Sequence, residues 1–156
     1  MTSNLRFFSP ELDREFESAA PAARRRAVLA ALLAAVRETG LNSPIVEIGL
    51  RLIGSGQWES AETSRELGTL ASELEETYWA GVAPYEDMPV VPDELVAPFK
   101  PALLRSNAAR ALSYALSGSD SDLQTSLQEA LEAREGTREA IDETRQELRA
   151  FSSEGH

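Results

Sequence analysis

The chain has 156 residues, which suffices for one domain that buries roughly 70% of its unfolded surface without disulfides or metal clips. It contains no cysteine, and its single histidine, His156, is its last residue. These two facts exclude thiol catalysis, zinc fingers and histidine-based acid–base pairs. The longest apolar run, residues 27–36, is about half the ~20 residues that a membrane-spanning helix needs. We therefore expect a cytoplasmic protein that does not enter a membrane.

The formal charge of −11 is unevenly distributed along the chain. Residues 57–94 carry ten acidic side chains and one basic side chain, and residues 119–156 carry ten acidic and four basic ones. The intervening residues 95–118 carry three basic side chains and no acidic one. Because phosphate binding requires clustered Lys and Arg, this distribution predicts that nucleic acid is not a ligand.

Capping and breaking residues divide the chain into six predicted helices. Ser9 and Ser43 each precede a proline, which combines an N-cap hydroxyl with a proline at the first helical position. Gly40 suits a left-handed C-terminal cap. Periodic apolar residues fill the segments between these signals. The predicted helices cover residues 10–19, 21–39, 45–53, 60–80, 101–116 and 119–151.

These helices predict an all-α fold, a single-domain bundle of five or six helices over residues 1–156, with residues 1–8 and 152–156 frayed at the ends. Residues 27–36 are apolar on all sides, and residues 45–53 contain only two charged side chains. A helix that is apolar all round is a buried helix. We therefore expect the hairpin of residues 21–53 at the centre of the bundle.

The last predicted helix is also the longest. It carries a seam of positions at alternating spacings of four and three, which is typical of coiled-coil packing. The seam runs from Leu123 through Arg134 to Leu148 and Phe151. Gly136 lies within it and costs about 1 kcal/mol relative to alanine in a helix, so we expect a kink there. The distal half then either packs less firmly or forms a homodimer through the C-terminal helix.

The fourth predicted helix is amphipathic, with Leu67, Leu70 and Leu74 on its apolar side. At 100° per residue, five glutamates fall within an arc of about 100° on another side. Trp79 projects away from the apolar side, so the helix alone does not bury it. We expect Gly81 to cap this helix and to begin a proline-rich connection to the fifth helix. The five glutamates are Glu59, Glu62, Glu66, Glu73 and Glu76.

Acidic and aromatic side chains therefore concentrate near the end of the fourth helix and in the connection that follows it. Tryptophan and tyrosine supply much of the energy at protein interfaces, and an acidic field accelerates the docking of a basic partner. Packing of Trp79 beneath residues 81–92 is the alternative interpretation. The predicted partner-binding residues are Glu62, Glu66, Glu73, Glu76, Trp79, Tyr85, Glu86 and Asp87.

The sequence thus predicts an acidic protein-binding module that docks on a basic protein, is not an enzyme, and needs no cofactor or metal. By size and charge alone, it resembles small helical bacterial proteins that neutralise a toxin, as immunity proteins and antitoxins do. A regulator that sequesters a nucleic-acid-binding factor has the same character.

Two alternatives stay open. Carboxylate pairs at helical i, i+3 spacing, such as Glu73 with Glu76 and Glu132 with Glu135, are compatible with a carboxylate-metal-dependent nucleotide hydrolase. Such pairs also arise readily by chance in an acid-rich chain. The other alternative is a structural protein that self-associates through its final helix.

Overall fold

The computed structural model describes the backbone of residues 5–154 and the side chains of residues 5–150. Over this range the chain is all-α, with nine α-helices, one short 3₁₀ helix and no β-strand. No helix in this range is both long enough and apolar enough to span a bilayer. The elements are α1 (Leu5–Phe8), α2 (Pro10–Ser18), α3 (Pro21–Thr39), α4 (Pro44–Gly54), α5 (Ala61–Val82), the 3₁₀ helix η1 (Ala83–Tyr85), α6 (Asp93–Val96), α7 (Lys100–Ala115), α8 (Asp120–Ala133) and α9 (Arg138–Glu154).

The predicted caps at Ser9 and Gly40 lie at the start of α2 and the end of α3. The Ser9 hydroxyl accepts a hydrogen bond from the backbone N–H of Leu12 at 3.1 Å, and Gly40 ends α3 with a left-handed φ of 70°. Leu5 belongs to a helical turn and is fully buried, although it falls in the range that we expected to fray. Residues 1–4 and 155–156, and the side chains of residues 151–154, lie outside the described residues, and the predicted frayed ends fall partly there.

Two helices, α3 and α7, form the middle of the bundle. α7 packs against α5, α8 and α3, while α3 packs against α7, α8 and α9. Both central helices are rich in buried alanine, which lets neighbouring backbones approach closely. The predicted central hairpin of residues 21–53 was wrong, because α4 barely contacts α3. The apolar face of α4 lies instead on α5 and α7, with Gly49 against Leu67 and Leu116.

The single helix predicted for residues 119–151 was also wrong, because the chain breaks it into α8 and α9. Glu135 and Gly136 both adopt left-handed backbone angles, with φ of 62° and 61°. Gly136 has no side chain to exclude the Phe8 ring, which lies where a Cβ would be. Arg134, placed on the seam by the sequence, is buried at the break and pairs with Glu38 and Glu143.

After this break α9 returns along α3 and α2. Its buried residues are Ala140, Ile141, Thr144 and Leu148, so α3 of the same chain covers this face of α9. A homodimer through the C-terminal helix stays a prediction. Ion pairs flank the contact of α9 with its own chain. Glu15 of α2 accepts hydrogen bonds from Arg145 at 2.7 Å and Arg149 at 2.9 Å, and Arg26 of α3 pairs with Glu147.

The end of α5 differs from the expected cap at Gly81. The helix continues to Val82, and the backbone of Gly81 is not left-handed. Gly81 is needed for a different reason, which is the close approach of the Phe99 ring. A Cβ at this position would lie 2.2 Å from Cδ1 of Phe99. The proline-rich connection contains η1 and α6, and α6 lies in residues 93–97, where the sequence already allows a helical turn. Phe99, at the end of this segment, folds it back over α5.

Candidate functional site

The predicted partner-binding residues centre on α5, which α7 holds in place. Ser60 caps α5 by accepting a hydrogen bond from the backbone N–H of Thr63. Ser64 of α5 and Ser113 of α7 then bond reciprocally, each hydroxyl donating to the other residue's carbonyl at 2.7 Å. Gly68 lies opposite Ser113 in the same contact between the two helices. This contact fixes the rotation of α5, and therefore which of its sides faces away from the bundle.

The side of α5 that faces away carries four of the predicted residues, which we call the acidic stripe: Glu62, Glu66, Glu73 and Glu76. All four are exposed, and none forms an ion pair or a side-chain hydrogen bond among the described residues. At 1.5 Å per residue the stripe extends over roughly 21 Å. Five acidic side chains outside the stripe each bind an arginine: Glu15, Glu38, Glu75, Glu143 and Glu147.

Trp79 lies at the C-terminal end of the stripe and is 53% exposed. Its ring packs edge-on against Tyr78, with the centroids 5.1 Å apart. Its indole Nε1 donates a long hydrogen bond of 3.4 Å to Oε1 of Glu75, one turn earlier. Trp79 is therefore neither enclosed beneath residues 81–92 nor loose, since it is held on the surface by neighbours on its own helix.

Glu75 connects Trp79 to the rest of the bundle. Its other carboxylate oxygen accepts a hydrogen bond from Nη2 of Arg110 on α7 at 2.8 Å. This bond lowers the pKa of Glu75; burial acts in the opposite direction, and the hydrogen bond from Trp79 adds to the lowering. Glu75 is thus held in its charged form between a guanidinium and an indole.

The remaining predicted residues follow α5. Tyr85 ends η1 and is half-buried, while Glu86 and Asp87 are exposed in the next turn. The turn is closed by a hydrogen bond from the backbone N–H of Met88 to the carbonyl of Tyr85 at 3.1 Å. Met88 is 39% exposed and Val90 is 80% exposed. The turn therefore adds two carboxylates and two apolar side chains to the surface near this end of α5.

The structure brings these residues together only in part. Along α5, Trp79 is three residues from Glu76 and about 60° away, so the two are neighbours on the helix surface. Glu73 is about 120° away from Trp79 around the helix. The acidic stripe and Trp79 thus meet at Glu76, and Trp79 turns from the stripe toward α7.

Two charged residues next to this site were missed by the sequence reasoning, namely Arg110 on α7 and Glu129 on α8. Burial, followed by repulsion from Glu132, raises the pKa of the Glu129 carboxyl to about 7, while Arg110 opposes the rise. Arg110 is 35 residues from Glu75, so no local pattern links them. The one signal in the sequence was that residues 95–118 contain three basic side chains, Arg110 among them, and no acidic side chain to pair with them.

Within residues 5–150, no three acidic or histidine side chains come together in a way that could hold a metal ion. Of the helical carboxylate pairs, Glu73 and Glu76 are both exposed, whereas Glu132 is half-buried and Glu135 is exposed.

Comparison of the chain with protein-family models, with curated proteins and with solved structures gives no match. The residues and geometry of the chain itself are therefore what supports a functional proposal.

Proposed function

We propose that the protein is an acidic protein-binding module, and that its binding surface is the acidic stripe together with Trp79 and the turn of Tyr85, Glu86 and Asp87. The observation that supports this proposal most directly is the acidic stripe itself. Its four exposed carboxylates have no partner in the described chain, and the row ends at the half-exposed Trp79. Exposed like charges along one helix repel each other, so a basic partner relieves this repulsion as it docks.

The chemistry of the partner follows from this surface. A row of carboxylates over roughly 21 Å matches a helix or strand with several Lys or Arg side chains, and the negative field accelerates the encounter. Trp79 supplies apolar contact area at one end, as aromatic anchors do in protein interfaces. The role that fits is neutralisation of a basic toxin, or sequestration of a factor that otherwise binds nucleic acid. The partner is a protein in both cases.

The test compares captured partners between matched charge variants. Bait carrying Glu73→Lys, Glu76→Lys and Trp79→Ala should lose partners that wild-type bait recovers from a cell extract. A control bait carries Glu47→Lys and Glu139→Lys, exposed acidic residues on α4 and α9, and has the same change in net charge.

Each recovered protein is then purified and titrated against all three baits. Binding that is lost only in the stripe variant supports the proposal. Equal binding to wild-type and stripe variants shows that the surface is wrong, and equal loss in both variants shows that only net charge matters.

A further inference from the structure

Glu129 is a carboxyl group on α8, which packs against α7. One turn earlier on α8, the Ser126 hydroxyl donates to the carbonyl of Ala111, the residue after Arg110, at 2.7 Å. Glu129 is partly buried, and its Oε2 atom is inaccessible and has no hydrogen-bond partner among the described residues. A buried polar atom without a partner is costly, and the cost is far greater for the charged form than for the neutral acid. Protonation of the Glu129 carboxyl therefore lowers the free-energy cost of burying it.

The charges around Glu129 come from three helices. Arg110 of α7 attracts its carboxylate, whereas Glu75 of α5 and Glu132 of α8 itself repel it. α3 also packs against α8, but its Glu38 pairs with Arg134 at the α8 C-cap. The group thus consists of three carboxyl groups and one guanidinium.

Arg110 is already engaged when Glu129 is neutral. Its Nη2 donates to Glu75 at 2.8 Å, and the other oxygen of Glu75 accepts the indole N–H of Trp79. A proton leaving Glu129 for water creates a second carboxylate that competes for the same guanidinium. Any movement of Arg110 toward Glu129 weakens its bond to Glu75. Glu75 then holds the Trp79 indole less firmly.

We propose that Glu129, Arg110 and Glu75 form a proton-controlled relay that determines how firmly Trp79 is held at the end of the acidic stripe. With Glu129 protonated, Arg110 binds Glu75 and Trp79 is fixed on its own helix. With Glu129 ionised, Arg110 is shared, Trp79 is released, and this group of charges gains one negative charge. The consequence for binding rests on the proposed function, whereas the relay itself does not.

Tryptophan fluorescence tests the relay without any partner. In a Trp58→Phe background, Trp79 is the only emitting tryptophan. Its emission should titrate between about pH 5.5 and pH 8.5, with a midpoint near 7. Glu129→Gln, which copies the shape of the protonated acid, should abolish this transition. Glu132→Gln should keep it but move the midpoint to lower pH, because it removes a repelling charge.

Two results would overturn the relay: emission that does not change with pH in the Trp58→Phe protein, or a transition that survives unchanged in Glu129→Gln. If Glu129 had only a structural role, Glu132→Gln would not move the midpoint of the fluorescence transition. That variant therefore distinguishes a structural role from the relay.

Binding of a synthetic amphipathic peptide of lysine and leucine separates this inference from the proposed function. The peptide should bind a few-fold more tightly at about pH 8 than at about pH 6, and Glu129→Gln should remove the difference. If the fluorescence titrates as expected but the peptide binds neither the parent nor the variant, the proposed function fails and the relay stands. If the peptide binds but the fluorescence is flat, the relay fails.

Discussion

The ring of Phe99 occupies the position that a side chain at residue 81 would need, since a Cβ on Gly81 would lie 2.2 Å from Cδ1 of that ring. Gly81 lies inside α5, where alanine would normally be favoured by about 1 kcal/mol. The clash reverses this preference, because Phe99 must leave its place or the helix must shift, at a cost of about 1–3 kcal/mol.

Gly81→Ala should therefore lower the free energy of unfolding by roughly 1 kcal/mol, as measured by urea denaturation. Gly68→Ala is the matched control in the same helix, because its Cβ would meet only Oγ of Ser113 at 3.6 Å. That substitution should stabilise the protein by about 0.5–1 kcal/mol. If both variants change stability alike, the close contact with Phe99 is not what requires glycine.

Substitution of Arg134 should destabilise the protein more than substitution of any other charged residue. The Arg134 side chain is 5% exposed and joins Glu38 of α3 to Glu143 of α9. Arg134→Ala should destabilise the protein by about 2–3 kcal/mol, since it removes buried contacts and leaves two carboxylates without their partner. Arg134→Met keeps most of the volume and should cost less. Thermal unfolding of both variants measures the difference, and a loss below about 0.5 kcal/mol in Arg134→Ala would contradict this role.

Glu129 should make stability depend on pH. Its pKa is about 7 in the folded protein, above the ordinary value of 4.5 that applies to the unfolded chain. The folded state holds the proton more tightly, so stability is lost as pH rises from the lower value through the higher one. Glu129→Gln should therefore match the wild type near about pH 4 and exceed it at about pH 8 by on the order of 1–2 kcal/mol. Denaturation of Glu47→Gln at the same two pH values is the control.

Glu15 should show the opposite dependence. Burial favours its neutral form, but hydrogen bonds from Arg145 and Arg149 outweigh this and lower the pKa. Its contribution is present above the ordinary carboxyl pKa and disappears as pH falls through the lowered value. Glu15→Gln should cost about 1 kcal/mol at neutral pH, and less at high salt. Glu17→Gln on the same helix should be neutral, and equal losses in the two variants would argue against the ion pair.

Most of the helix starts, and the end of α3, could be read from the sequence because caps are local. Ser9 needs only the backbone N–H of Leu12, three residues later, and Gly40 needs only its own backbone freedom. The end of α5 could not be read in this way. Gly81 resembles a cap in sequence, and the ring that explains it comes from residue 99.

The candidate site shows the same division. The acidic stripe follows from helical spacing alone, and so does the projection of Trp79 away from the apolar side of α5. What holds Trp79 could not be predicted, because Arg110 and Glu129 come from helices that only tertiary packing brings to Glu75. An arginine on α7 and a glutamate on α8 look like ordinary helix residues until the three helices are assembled.

The turn at Glu135 and Gly136 also determines whether α9 can pack against α3 of its own chain. If both residues adopted helical angles, residues 120–154 would form a straight rod of about 52 Å, and α9 would no longer reach α3 of its own chain. Gly136→Ala pushes in this direction, because alanine disfavours φ near 61° and its Cβ would press on the Phe8 ring. We expect this variant to elute as an exchanged dimer in size-exclusion chromatography, with each α9 seated on the other subunit, and a monomer would contradict this. Two residues of left-handed backbone thus direct α9 back onto α3 of its own chain.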